Sequence, residues 1–456
     1  MVILTRTYCV IRLFWAAGAD WGEAVGVLVV QHVREEGPYA IGEALLVAGL
    51  RLRVCRVWAG DPLPESLAGV EALVVMGGPM AAHSDAGFPA RRAELALLRQ
   101  ALAAEVPVLG VCLGARLLAV AAGGAVRTGS GSQLGWGEVR TAPAADRDPL
   151  FAGAPERLRV SHRHGDTMEL PDVAVLLASC ERHPVQAFRV GGSAWGLQFH
   201  LEADEAAVDA FVTTFPEEAA TAPGIRDTAP GEPAEPAPYR DLVFGRFAAL
   251  VAARAAHTAT RTFFAPRADA WEARFAADGP RYAAAVARMG LLPGQTALDL
   301  GCGSGRALPA LRAGVGDTGK VFGVDVTSAM LMAAAREGRA GPACLLVADC
   351  NRLPLPPGAT HGIFSAGLLD HLPAPPVALR EWARVTASGG TLLLFHPSGR
   401  AERAARHGRP LSPDDPLGEP NLMPMLDDNG WQLVCYEDKS AYFLARAVRV
   451  ADEAHN

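Results

Sequence analysis

The 456-residue chain has no block of lysine and arginine, no two cysteines in C-x-x-C spacing, and no long apolar run. Each absence excludes something. A formal net charge of −7 without a basic cluster leaves no electrostatic footprint for DNA or RNA and favours a small-molecule substrate. The eight cysteines, at positions 9, 55, 112, 180, 302, 344, 350 and 435, are too scattered for a zinc site or a disulfide scaffold. They suit a reducing cytosol, and no metal is expected. No stretch reaches the ~18 to 20 apolar residues of a membrane span. Residues 1–20 imitate a secretion signal, with Arg6 ahead of apolar residues and Ala17-Gly18-Ala19 as a cleavage-like site, but Arg12 interrupts the run. Residues 1–24 therefore read as an overlong translation start or a tail, and the protein as cytoplasmic.

What is present is the composition of folded protein: half the residues are hydrophobic and a fifth charged. The length fits two domains. In the first half, short β-branched runs (Val25–Val30, Leu52–Val57, Ala72–Met76, Val108–Val111) alternate with helical patterns at Tyr39–Gly49 and Arg91–Glu105. Such alternation predicts a largely parallel sheet covered on both faces. After Gln133 short strands and turns are expected, ending in Ala194–Phe199 and a helix from about Asp204 to Phe215. Residues 216–238 carry six prolines and no periodicity, an extended linker. From Tyr239 a helical lead-in precedes strands at Ala297–Leu300, Val321–Val326, Ala343–Val347, Gly362–Phe364 and Thr391–Phe395. No internal repeat relates the halves, so two separate α/β domains are expected, at 25–215 and 239–450.

Gly110-Val111-Cys112-Leu113-Gly114 places a cysteine between an apolar strand and the helical run Ala115–Ala122. A nucleophile on a tight strand-to-helix turn needs small neighbours, and the helix N-terminus favours thiolate. A lone cysteine in an apolar run is more often core than nucleophile. Two further segments tip the balance. Met76-Gly77-Gly78-Pro79 follows a strand and can bring backbone N–H groups to a developing oxyanion. Gln198-Phe199-His200-Leu201-Glu202 offers a base and an acid two residues apart, which face the same way on extended chain.

These three segments, in this order, resemble the class I glutamine amidotransferases, most of all the group related to the amidotransferase domain of GMP synthetase. The resemblance spans about Val25–Phe215 and includes Gly135-Trp136 and His164-Gly165-Asp166. It implies a flavodoxin-like domain with Cys112 as nucleophile, His200 as base, Glu202 as its partner, and oxyanion N–H groups from Gly78 and Leu113. The implied reaction is attack on the glutamine side-chain amide, release of ammonia, and hydrolysis of a glutamyl thioester. Three positions depart from the family pattern. Arg116 stands where relatives carry a substrate-holding glutamine, Gln133-Leu134 precedes Gly135 where an acid often sits, and Leu201 replaces a common proline. Arg116 marks a changed γ-glutamyl substrate, with the guanidinium as a carboxylate clamp, or a silent binding or regulatory domain. The Ser-Gly-Gly-Val-Asp-Ser-type loop of an ATP-pyrophosphatase domain is missing, so no ammonia acceptor site can be named.

Ala297-Leu298-Asp299-Leu300-Gly301-Cys302-Gly303-Ser304-Gly305-Arg306 closes a strand and opens a helix. A dinucleotide loop needs glycine at 306, where arginine stands, so NAD is disfavoured. The D-x-G-x-G-x-G spacing resembles the first motif of class I S-adenosylmethionine (SAM) methyltransferases, a Rossmann-like fold. By that resemblance Asp299, Gly301, Gly303 and Gly305 form the cofactor loop. Asp325 and Val326 end the ribose-binding strand, Asp349 and Cys350 the adenine-binding strand, and Ala366 a fourth. An Asn-Pro-Pro-Tyr-type motif is missing, which argues against methylation of nucleic-acid bases. His371 is a candidate base for methyl transfer, and Asp370, His396 and Arg400 lie near the expected cleft; structural roles suit them equally. Phe263, Phe264, Trp271 and Phe275 either cap the pocket or pack an amphipathic helix. The expectation is a bifunctional cytoplasmic enzyme acting on small molecules, with SAM as cofactor and no nucleic-acid or membrane partner.

Overall fold

A computed structural model describes residues 26–202 and 237–451, apart from 342 and 407. The expected N-terminal tail, the helix at 204–215 and nearly all of the linker lie outside the described residues. The chain divides into two compact units, Met1–Ala252 and Ala253–Asn456.

The first unit is built on a nine-stranded sheet of order β2-β1-β3-β4-β9-β8-β7-β5-β6. Strands β1 (Val27–Gln31), β2 (Leu52–Arg56), β3 (Ala72–Val75), β4 (Val108–Val111) and β9 (Ala194–Leu197) are parallel. β1, β3, β4 and β9 are buried along their whole length, which is why they read as continuous apolar runs. Leu28 and Val30 enter a core with Leu95, Leu98, Leu117 and Leu118, from helices α2 (Arg91–Ala103) and α3 (Leu113–Ala121). The other half of the sheet corrects the expectation of short strands and turns. β5 (Ala125–Thr141) and β6 (Arg157–Glu169) form a long antiparallel pair, joined to the rest through β7 (Ala174–Ser179) and β8 (Ala187–Val190). The pairing places Gln133 opposite His164 and Gly135 opposite His162, so landmarks about thirty residues apart in sequence sit side by side.

Helix α1 spans Tyr39–Val47, and α4 spans Ala237–Phe264. The first part of α4 belongs to the first unit. Phe247 packs edge-on against Trp195, Tyr239 packs against Phe151, and Arg246 Nη1 donates to the carbonyls of Leu150 (3.1 Å) and Ala152 (2.6 Å). The compact units thus divide within this helix.

The second unit has a seven-stranded sheet of order β12-β11-β10-β13-β14-β16-β15. Strands β10 (Thr296–Leu300), β11 (Lys320–Asp325), β12 (Cys344–Val347), β13 (Thr360–Ala366) and β14 (Thr386–His396) are parallel. β14 begins earlier than its apolar run because Gly389 and Gly390 lie within the strand rather than ahead of it. β15 (Trp431–Lys439) and β16 (Tyr442–Arg449) add an antiparallel edge beyond the strands expected from the sequence. Chain order runs outward from β10 to β11 and β12, then returns to β13 and β14. The crevice at that reversal, at the carboxyl ends of the strands, is where open α/β sheets hold ligands.

Candidate active sites

In the first unit Cys112 stands between β4 and α3 with φ +51° and ψ −102°. A non-glycine residue there carries about 1–3 kcal/mol of backbone strain. The turn is kept by its glycines. A Cβ on Gly110 would lie 2.5 Å from the Gly114 carbonyl oxygen, and one on Gly114 would overlap the Val75 carbonyl. The Cys112 N–H donates to Leu197 O at 2.8 Å, tying the turn to β9.

His200 is carried just beyond β9, where its N–H donates to Ser161 O at 2.8 Å on β6. Its Nδ1 lies 2.7 Å from Glu202 Oε1, and its Nε2 is buried without a hydrogen-bond partner among the described residues. The Cys112 thiol lies 3.5 Å from Arg163 O. Burial pushes the Cys112 thiol up, but the Arg116 charge and the His200 hydrogen bond outweigh it and hold the thiol below its usual range. Burial likewise disfavours charge on His200, yet Glu202 and the thiol lift it well above an ordinary imidazole. Both shifts favour passage of the thiol proton to an imidazole that a carboxylate orients.

Arg116 faces the same sulfur. Its Nη2 lies 3.6 Å from Cys112 Sγ, its Nη1 donates to Asp166 Oδ2 at 2.6 Å, and its Nε donates to Cys112 O at 3.4 Å. The guanidinium is thus engaged by the elbow and by the Asp of His164-Gly165-Asp166.

Gly77 and Gly78 lie across the site, held by a buried pair that sequence reasoning missed. His32 Nδ1 is 3.0 Å from Gly77 O, and His32 Nε2 is 2.8 Å from Glu94 Oε2. Burial lowers the His32 pKa, but Glu94 and Gly77 more than offset that, and the net shift is upward. Both contacts are to acceptors, so the ring donates from both nitrogens as imidazolium. A trans peptide points its N–H opposite its C=O; anchoring Gly77 O on His32 therefore turns the Gly78 N–H away from His32. Leu113 lies close by, its Cδ2 3.1 Å from a Cβ placed on Gly78. The sequence signal for this pair was His32 directly after β1; Glu94 was hidden in an amphipathic helix.

A second unforeseen group is the buried histidine cluster His162, His164 and His183, with ring centroids 5.7 and 4.6 Å apart. Burial first, then neighbouring imidazoles, lowers His162 to about 4 and His164 to about 3. These rings are neutral, and no group of three or more His, Cys, Asp or Glu among the described residues can hold a metal.

In the second unit the expected cofactor residues converge on the carboxyl ends of the parallel strands. Gly301 (φ +68°), Gly303 (φ +54°) and Gly305 (φ +77°) all occupy left-handed backbone that favours glycine. Asp325 anchors the loop, its Oδ2 accepting from Gly303 N (2.9 Å) and its Oδ1 from Thr327 N (2.8 Å). Behind it Asp299 is fully buried; burial, then the Asp325 charge, pushes its carboxyl up to about 8. Asp349 follows β12, and its Oδ1 accepts from Asn351 N at 2.8 Å and lies 3.3 Å from His257 Nε2. Val326 O accepts from Arg261 Nε at 3.0 Å. Glu272, on α5 (Ala268–Phe275), accepts from Ser304 Oγ at 3.0 Å and from Arg339 Nη2 at 2.7 Å. The second part of α4 and α5 therefore lie against the loop and the next two strand ends. His257, Arg261 and Glu272 were not singled out in the sequence, since nothing local marks them.

The remaining expected residues divide. Ala366 ends β13 at the same edge. Cys350 is buried, its thiol pushed to about 12 by burial, and its carbonyl accepts from Trp382 Nε1 at 3.0 Å. His371 is exposed on a short turn, while Asp370 beside it pairs with Arg403 at 3.0 Å. His396 at the end of β14 is lowered to about 4, by burial first and then by Arg403. Phe264 and Trp271 pack with Met330 and Ala333, an apolar cluster of their own.

Comparison with known proteins agrees with both halves. Residues 39–213 match the family model "Glutamine amidotransferase class-I", and residues 298–394 match "Methyltransferase domain". YfeJ, a glutamine amidotransferase-like protein of Salmonella typhimurium, is 34% identical over 181 residues, 39% of this chain and 76% of that protein. A glutamine-hydrolyzing GMP synthase of Porphyromonas gingivalis is 31% identical over 185 residues, 40% of this chain and 32% of that enzyme, so the match spans about a third of the synthase. A SAM-dependent methyltransferase structure from Aquifex aeolicus, 27% identical, covers 37% of this chain and 89% of that one with a TM-score of 0.32. The chain belongs to the class I glutamine amidotransferase family, and it carries a methyltransferase domain behind that part. Among the described residues no helix is long and apolar enough to cross a membrane.

Proposed function

We propose that the chain is a bifunctional enzyme that hydrolyses a γ-glutamyl amide at Cys112 and transfers a methyl group from SAM to a small molecule. The observation that carries the first activity is the Cys112–His200–Glu202 array, with a strained elbow, a 2.7 Å His–Glu contact and an imidazole whose other nitrogen is buried without a hydrogen-bond partner among the described residues. Cys112 Sγ attacks the γ-carbonyl carbon, and the negative oxygen that forms is received by the N–H groups of Gly78 and Leu113. His200 gives its proton to the departing nitrogen, then takes one from the water that opens the thioester. Arg116 stabilises the thiolate.

The glycine loop and the acids at the strand ends support SAM as the ligand of the second site. Its glycine loop would hold the methionine portion, Asp325 keeps lone pairs for ribose hydroxyls, and Asp349 can accept from the adenine amino group. SAM would supply the activated methyl group; the chain's part is to orient it and exclude water.

The deciding experiment measures ammonia release from glutamine by the intact protein and by Cys112→Ala, each with and without SAM. Release that disappears in Cys112→Ala is expected. Release that is independent of Cys112, or no release at all, would sink the amidohydrolase half; failure to bind SAM in calorimetry would sink the other.

A further inference from the structure

The amidohydrolase site holds a charged group that the triad does not use. Glu36, five residues beyond β1, has a side chain only 8% exposed. Its Oε1 accepts from Arg163 Nη1 at 2.6 Å. Its Oε2 is buried and meets no hydrogen-bond donor among the described residues. A carboxylate oxygen withdrawn from water and left unpaired is costly, and at a reaction centre it points to a ligand that completes it.

The direction of that oxygen is set by Gly77. A Cβ on Gly77 would land on Glu36 Oε2 and come within 3.3 Å of His200 Cε1. Glu36 and His200 therefore face the same side of the Gly77 backbone, and only glycine leaves room for them there. The Glu36 charge also opposes the Cys112 thiolate. Glu36 and Cys112 thus oppose each other electrostatically, an arrangement that a hydrogen-bond donor between them would relieve. A γ-amide brings such donors on the nitrogen that will leave.

We infer that Glu36 Oε2 accepts a hydrogen bond from the N–H of the departing nitrogen, which makes Glu36 a residue that selects amides over esters at this site. The inference rests on the amidohydrolase reading. As the Sγ–C bond forms and the C–N bond breaks, the electron pair passes to nitrogen. Nitrogen takes the proton from the His200 imidazolium and leaves as ammonia, and Glu36 emerges unchanged. To receive that proton, the nitrogen lone pair must face His200. Anchoring one N–H on Glu36 holds it in that orientation. An ester oxygen has no N–H to offer, and its lone pairs would face the carboxylate.

The test compares kcat/KM for glutamine and for glutamate γ-methyl ester, in the wild-type protein and in Glu36→Gln, which keeps an oxygen for Arg163. Glutamine turnover should fall ~100-fold, while ester turnover falls by no more than about threefold or rises. Retained ester turnover also reports a folded site. Equal losses on both substrates would overturn the inference, since Glu36 would then act only through Arg163 and the fold. Unchanged glutamine turnover would overturn it as well. A wild-type protein that turns over neither substrate overturns the amidohydrolase reading itself, and the inference with it.

Discussion

Arg116 Nη2 lies 3.6 Å from Cys112 Sγ, and Asp166 fixes it there through a 2.6 Å ion pair on Nη1. A fixed cation beside a buried thiol favours the thiolate. Arg116→Gln, which installs the residue common in the family, should raise the thiol pKa. Alkylation of Cys112 by iodoacetamide at pH 7 should slow on the order of tenfold. An unchanged rate–pH profile would remove Arg116 from the activation of the nucleophile.

The His32–Glu94 pair lies inside the apolar core of the first unit, His32 2% and Glu94 1% exposed. Replacing a buried ion pair by apolar groups is often neutral or stabilising. The double variant His32→Leu/Glu94→Leu should therefore keep its thermal stability. It should lose ~100-fold in kcat for glutamine, because the Gly77–Gly78 peptide is released. Cys112 alkylation should be unaffected. A variant with full kcat would show that the pair only fills space.

Asp299 makes the second unit pH-sensitive. Its folded pKa, about 8, is raised above its unfolded value, so the folded state holds a proton that the unfolded chain gives up above pH ~4. Its stabilising contribution is complete below that pH and is lost as pH rises through about 8. Asp299→Asn should raise the Tm of the ligand-free protein at pH 8 by about 5 °C and change little at pH 4. A Tm difference independent of pH would mean that Asp299 is ionised in the folded state.

The cationic centres of SAM would favour the ionised form of the same carboxyl. SAM binding at pH 7 should release up to about one proton. Calorimetry in buffers of different ionisation enthalpy measures this directly. No buffer dependence in the wild type would place the ligand's charge away from Asp299.

His257 occupies one oxygen of the carboxylate expected to receive adenine, 3.3 Å from Asp349 Oδ1. His257→Ala should remove a competitor from that carboxylate, leaving Asn351 on Oδ1, and tighten SAM by roughly three- to tenfold, since the competing contact is worth about 1 kcal/mol. Weaker binding would instead make His257 part of the cofactor pocket.

The motifs were legible because their chemistry is local. The cysteine elbow, the alternating glycines and the acids at strand ends each lie within a few residues, and buried parallel strands announce themselves as apolar runs. The long β5–β6 pair was not legible. Its strands contain Gly129, Gly131, Gly135 and Gly137 among serines, residues that read as turns when their partners are unknown. The β15–β16 edge carries no motif and was likewise passed over.

By itself, then, the sequence determined two α/β domains, the order of their chemical segments, and the residue types offered at each strand end. It did so because backbone geometry and burial act within one or two turns of chain. Only the tertiary structure brought Arg163 onto Glu36, Glu94 onto His32 and His257 onto Asp349, across 127, 62 and 92 positions. Those pairings set which charges are satisfied and which are left to a ligand. Electrostatics in a dry pocket depends on distances in space, which no local pattern in the chain records.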